Sequence, residues 1–230
     1  MPSVRHELPE GKAKCLVVFL PGVRDAAEDF DEKGFIDTLR AHQLSVDVVS
    51  AEATLPYYTQ GVLVERLEAD VFAPAQARKY RQKWLIGVSM GAWGTLLYSH
   101  AHPDHVTGVL AMAPYLGKRY ISNEIRDAGG LASWHAPQKP EKLDVKDDAA
   151  YQRELWRWLQ ALSSGKEKGP ELYVGWGTAD PWLAEPVSLL AAALPGQRTF
   201  PVEGAHQWTA WKKVLELFLA DSEFSKSCAR

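Results

Sequence analysis

Apolar positions along the chain fall into short unbroken runs separated by amphipathic stretches. Residues 15–20, Cys-Leu-Val-Val-Phe-Leu, are continuously apolar and closed by Pro21-Gly22, the pattern of a strand buried on both faces. Residues 30–42 place Phe35, Ile36 and Leu39 on one face and predict a helix. The valine-rich stretch 44–50 predicts a second strand, and 61–80 a helix that Pro74 must end or kink. The alternation resumes with a strand at 83–88, a helix at 90–100 and a strand at 107–113. A strand at 171–176, a helix at 182–194 and a short strand at 197–201 follow. Residues 207–220 predict a closing helix with Trp208, Trp211, Leu215, Phe218 and Leu219 on one side, and 4–8 predict an antiparallel edge strand. Strands alternating with helices of this length imply a mostly parallel sheet covered on both faces.

The rhythm breaks between Ala113 and Glu171. That stretch holds a predicted helix at 149–162, with Tyr151, Leu155, Trp158, Leu159 and Leu162 on one stripe, and a Pro- and charge-rich passage at 134–148. With no internal repeat in view, 1–230 reads as a single domain and 117–168 as a cap-like insertion within it, the alternative being an elaborate crossover. Residues 221–230 read as a short, polar, frayed tail.

Composition narrows the classes further. The 230 residues carry a net charge of −3, with no basic field for nucleic acid or anionic lipid. Two cysteines, Cys15 and Cys228, cannot make a disulfide framework or a cysteine-based zinc site. The run 15–20 is too short for a signal-peptide core or a membrane span. A soluble, cytoplasmic protein is therefore expected, with no heptad or apolar stripe to indicate its oligomeric state.

Gly87-Val-Ser-Met-Gly91 has the pattern G-x-S-x-G, directly after the strand at 83–88 and at the opening of a helix. A strand-to-helix turn this tight strains the serine backbone and lifts its hydroxyl above the sheet, where a substrate can meet it. A serine there also suits a helix N-cap, but the flanking glycines favour Ser89 as a nucleophile. A serine hydroxyl needs a base. His206, between the last short strand and the last helix, lies on the edge of the sheet where Ser89 is expected. His6 and His42 precede the nucleophile, and His135 falls in the irregular stretch. His100, His102 and His105 form an H-x-H-P-D-H cluster at the far end of the helix after Ser89, where the helix macrodipole already explains them and no metal is expected. Asp180, in Gly-Thr-Ala-Asp after the strand at 171–176, is placed to orient His206, and it also suits a helix N-cap. Asp127, Asp144, Asp147 and Asp148 compete but follow no strand. The amides of Met90 and Val23 are the candidate oxyanion donors. Arg24 is expected to pair with Asp25 at the surface. Tyr115 and Trp182, each following the carboxyl end of a strand, are the candidate substrate-binding residues.

With these residues in place, the chain resembles the α/β-hydrolase family in its serine esterase, lipase and thioesterase branch. The resemblance runs from 17–25 through Gly87–Gly91 and Gly177-Thr-Ala-Asp180 to Gly204-Ala-His206. It implies a mostly parallel sheet of six to eight strands, a Ser-His-Asp triad, an acyl-enzyme intermediate and no cofactor. Pro21-Gly22 stands where many relatives carry His-Gly. The ending Gly204-Ala-His-Gln-Trp-Thr-Ala-Trp211 resembles the G-G-H-x-W-x-x-W ending of siderophore-type and related small esterases, with Ala205 for the second glycine. The function expected is hydrolysis of a small-molecule carboxylic ester or thioester. The alternatives are amide or other acyl cleavage by the same residues, or a non-catalytic binding scaffold.

Overall fold

The computed structural model of the chain describes residues 1–9, 12–138 and 148–230, and among them the apolar runs pair into one seven-stranded sheet. Its strands are β1 (Ser3–His6), β2 (Cys15–Leu20), β3 (Val46–Ala51), β4 (Gln82–Val88), β5 (Gly108–Met112), β6 (Glu171–Gly177) and β7 (Thr199–Val202). They lie in the order β1-β3-β2-β4-β5-β6-β7. Only β1 is antiparallel, pairing Ser3 with Ala51 on β3 as the edge pattern predicts. Every residue of β2, β3 and β5 is buried, because helices cover both faces.

The helices are more broken than the periodicity suggests. The predicted helix at 30–42 divides at Lys33-Gly34 into α1 (Asp29–Glu32) and α2 (Phe35–Ala41). A helix that was not anticipated, α3 (Leu55–Thr59), follows β3. The predicted span 61–80 begins as α4 (Leu63–Leu67), passes through a π-helical turn at Glu68–Phe72 and the short α5 (Ala73–Ala75), and ends in a 3-10 turn at Gln76–Arg78. Pro74, which lacks an N–H, sits just after the π turn. α6 (Met90–Ala101) follows β4.

Between β5 and β6 lie α7 (Arg119–Asp127), which periodicity did not reveal, and α8 (Asp148–Ser163). The competing Asp144 and Asp147 fall outside the described residues. α8 is anchored from below: Leu155, Trp156, Trp158 and Leu159 are all buried, and the Trp156 indole donates to the Leu116 carbonyl at 2.8 Å. α9 (Ala184–Ala191) is shorter at both ends than expected, and α10 (Trp208–Asp221) matches its prediction.

The tail is the clearest correction. Residues Glu223–Cys228 form a further helix, α11, capped by the Ser222 hydroxyl, which accepts from the Ser225 amide at 3.3 Å. Phe224 is fully buried against Trp84 and Phe218, with ring centroids 5.2 and 5.5 Å away. Cys228 is bonded to Cys15, 213 residues earlier in the chain. Two apolar anchors in a nominally polar segment hold it down. A disulfide persists in oxidising surroundings and is rare in the cytosol, so the bond weighs against the cytoplasmic expectation. No helix among the described residues is long and apolar enough to cross a membrane.

Candidate active site

Parallel strands end on a common edge, and three loops there converge. At the first, β4 turns into α6 through Ser89, whose φ of 55° and ψ of −116° are unusual for any residue with a side chain. The turn is held by the Ser89 amide, which donates to the Met112 carbonyl at 2.8 Å, and by the Tyr115 and Trp93 amides, which donate to the Ser89 carbonyl at 3.1 and 3.2 Å. Its flanking glycines are sterically required. A Cβ on Gly87 would lie 2.5 Å from the Ala92 nitrogen, and one on Gly91 2.1 Å from the Leu20 carbonyl oxygen. The serine side chain makes no capping hydrogen bond to α6. It points instead to His206, with Ser89 Oγ 3.0 Å from His206 Nε2.

His206 Nδ1 lies 2.6 Å from Asp180 Oδ2. A buried carboxylate only accepts, so the proton sits on Nδ1 and Nε2 is free to accept from Ser89. The histidine and aspartate loops are stitched together. The Thr178 amide donates to the Val202 carbonyl at 2.8 Å and the Ala179 amide to the Gly204 carbonyl at 2.9 Å. Gly177 permits this approach, because a Cβ there would come within 2.4 Å of the Gly204 oxygen. The Trp211 ring meets the imidazole edge-on from the core side (centroids 5.0 Å, 87°), and Trp182 does so from the solvent side at 5.8 Å. Trp182 itself is 72% exposed.

The third loop, after β2, passes over the start of α6. A Cβ on Gly22 would lie 3.5 Å from Ser89 Cβ, which puts the Pro21-Gly22-Val23 turn against the serine. Met90 opens α6, so its N–H lies in the first turn and has no carbonyl of the helix to bond. The expected surface pair of Arg24 and Asp25 is not formed among the described residues. Asp25 Oδ1 instead accepts from the Trp208 indole at 3.1 Å, and burial raises its pKa, partly offset by that bond. Nothing in the sequence links positions 25 and 208; only the packing of α10 beneath the loop brings them together.

One cavity is lined by Asp180 of the site, and a second lies along α6 beyond Trp93. The first, of about 390 Å³, is lined by Tyr115, Gly117, Arg119, Asp180, Trp182 and Glu185, and so includes both predicted substrate-binding residues. The second, of about 210 Å³, is lined by Leu55, Tyr58, Leu63, Trp93, Leu97 and Tyr151. The Tyr58 and Trp93 rings stack in it at 5.5 Å, and Trp93 meets Tyr115 edge-on at 5.4 Å. Tyr151 reaches this cavity from α8, a contribution that its place on the predicted stripe at 149–162 does not reveal.

A search of curated protein sequences found no match. The model of the Esterase family matches residues 62–221, more than half of the chain and the span that contains Ser89, Asp180 and His206. The chain belongs to this esterase family. Among solved structures it is similar to Est1E from Butyrivibrio proteoclasticus, at 14% identity and a TM-score of 0.60 over 95% of this chain and 92% of that one. It is also similar to FphF, a fluorophosphonate-binding serine hydrolase of Staphylococcus aureus (13%, TM-score 0.60, 95% and 90%). A third likeness is to an S-formylglutathione hydrolase from Agrobacterium tumefaciens (14%, TM-score 0.54, 95% and 86%). These establish the α/β-hydrolase fold, and membership of the esterase family makes the chain a hydrolase.

Proposed function

We propose that this esterase cleaves a small carboxylic ester or thioester through Ser89, His206 and Asp180. The observation that carries the reading is the run of short contacts from Ser89 Oγ through the imidazole to the buried Asp180 carboxylate, at 3.0 and 2.6 Å, joined to a strained serine backbone. His206 Nε2 takes the hydroxyl proton as Ser89 Oγ bonds to the acyl carbon. The amides of Met90 and Val23 hold the oxyanion as it forms. On collapse the C–O or C–S bond breaks, and the leaving group departs with the proton from His206. Water then attacks the acyl-enzyme by the same route and releases the acid. Tyr115 and Trp182 wall the substrate, and 117–168 acts as the cap-like wall that closes one side through Tyr151. No cofactor enters these steps. The cytoplasmic setting is not carried forward, because of the disulfide.

The test is a fluorophosphonate probe on the full-length protein, with the adduct located by peptide mass spectrometry. A single adduct on Ser89, absent in Ser89→Ala, is expected together with loss of ester hydrolysis. Failure of the folded protein to react would favour a binding scaffold, and equal turnover of matched ester and amide substrates would displace the ester assignment.

A further inference from the structure

At the end of α6 remote from Ser89, the H-x-H-P-D-H cluster divides. The His100 ring turns onto Trp158 of α8, with centroids 5.3 Å apart. His102 and His105 stay together, their rings 16° from parallel and 5.0 Å apart. Their spacing is fixed by the backbone: the His102 amide donates to the Tyr98 carbonyl at 2.9 Å and the His105 amide to the His102 carbonyl at 3.1 Å. Facing them is Glu68, the first residue of the π-helical turn. One donor atom from each of Glu68, His102 and His105 lies within 4.8 Å of the other two.

An ordinary ion pair explains part of this. His105 Nδ1 is 3.2 Å from Glu68 Oε2, and both side chains are partly exposed. It does not explain His102, whose ring rests on Tyr98 (centroids 4.9 Å) and makes no hydrogen bond among the described residues. Coordination explains all three. A tetrahedral ion with bonds of about 2.0–2.1 Å needs donor atoms roughly 3.3 Å apart. His105 and Glu68 already stand at 3.2 Å, and the partly exposed His102 ring has only to swing inward. Around this trio the surroundings favour a cation. The carboxyl end of α6 directs its dipole's negative pole here. The Tyr98 hydroxyl donates to Glu68 Oε2 and fixes the carboxylate, as partners behind metal ligands do. Tyr98 is itself held by Phe72 of the π turn, stacked at 4.2 Å.

We infer that Glu68, His102 and His105 form a site for one divalent transition-metal ion of the zinc class, with a fourth position open to water. Two imidazoles and one carboxylate select such an ion over calcium or magnesium, which take oxygen ligands. The twelve residues of α6 separate Ser89 from His102, about 20 Å by helix rise, so the ion clamps the end of α6 to the π turn and takes no part in the chemistry. The sequence showed His102 and His105 but not their third partner, because Glu68 lies far upstream on an element whose π geometry has no periodic signature, and the expectation of no metal there was drawn without it.

The test uses full-length protein stripped with a chelator. It is titrated with ZnCl2 against a chromophoric competitor, and separately with CoCl2, whose visible absorption reports tetrahedral coordination. Uptake of one equivalent per chain is expected, with a rise in Tm on adding Zn2+. His102→Gln, His105→Gln and Glu68→Gln should each weaken uptake by at least about tenfold while leaving the metal-free Tm and circular dichroism near those of the parent. His6→Gln, His42→Gln and His135→Gln should change nothing. Absence of saturable uptake by the parent overturns the inference. So does uptake that survives in His102→Gln/His105→Gln or falls with the control variants.

Discussion

Asp180 divides its two oxygens between a turn and a histidine. Oδ1 accepts from the Trp182 and Leu183 amides at 2.9 and 3.0 Å and shapes the turn into α9, while Oδ2 faces His206 Nδ1 at 2.6 Å. The helix-cap reading of this residue becomes a turn, since the N-cap of α9 is Leu183, whereas its reading as partner of the histidine has a geometric counterpart, and one substitution separates turn from partner. In Asp180→Asn the amide oxygen can keep the turn, while its NH2 group faces the imidazole and favours the tautomer with the proton on Nε2. That nitrogen can then no longer accept from Ser89. We expect kcat to fall by roughly 10³–10⁴ with KM and Tm little changed, as for other histidines deprived of their carboxylate. Steady-state kinetics on a soluble activated ester, alongside a thermal melt, checks this. A loss of stability that accounts for the loss of rate would assign Asp180 to the turn alone.

The elements divide into those whose pattern is local and those set by tertiary contact. Buried strands such as β2 and β5 are legible because each residue is apolar and turn residues close the run. Ser89, Asp180 and His206 are legible for a related reason: each lies in the loop or turn that follows a strand, and parallel strands deliver their carboxyl ends to one edge. α11 was hidden because two residues, Phe224 and Cys228, hold it, too few to make a period. α7 was hidden by a polar face broad enough to look like loop. α8 serves a cavity wall and the core together, lending Tyr151 to the one while burying Trp156 and Trp158 in the other. Trp156→Ala removes a fully buried indole and its bond to Leu116, and should cost about 3–5 kcal/mol in urea unfolding. Tyr151→Ala should instead leave stability within about 1 kcal/mol of the parent and change the ranking of ester substrates. A costly Tyr151→Ala with an unchanged ranking would make the segment crossover only.

Two long-range ties hold the whole molecule at the end of the sheet opposite Ser89. The first is Asp47, fully buried on β3. It accepts from the Tyr80 hydroxyl at 2.6 Å, the Arg78 guanidinium at 2.7 Å and the Leu8 amide at 2.7 Å, and so joins the N-terminal segment to the approach of β4. Burial pushes its pKa up, but these donors together outweigh burial and hold it below the usual carboxylate value. A carboxylate depressed in the fold stabilises it above the unfolded pKa, and loses that stabilisation as pH falls through the folded one. The gap in unfolding free energy between the parent and Asp47→Asn, on the order of 1–3 kcal/mol near neutrality, should therefore close below about pH 4. Denaturant titrations across pH 3–7 measure it, and a gap that widens toward acid would reverse the assignment. The second tie is the Cys15–Cys228 disulfide, which spans 213 residues and fastens α11 to the start of β2. Cys15 pairs in register with Gln82 while Leu20 pairs with Gly87, so the bond lies five strand residues, about 16 Å, below the sheet edge that carries Ser89. Cross-linking the chain nearly end to end restricts the unfolded ensemble, and a bond of this kind contributes about 2–4 kcal/mol. Reduction, or Cys15→Ala/Cys228→Ala, should lower Tm by several degrees and free α11 to exchange its amides. The rate per folded molecule should stay the same, because Ser89 and its partners are held by the opposite edge. Hydrogen exchange followed with and without reductant resolves the two effects. Protection lost only at 223–230 places the disulfide as a tail clamp, whereas loss extending to 204–206 would mean that the clamp also sets the loop that carries His206.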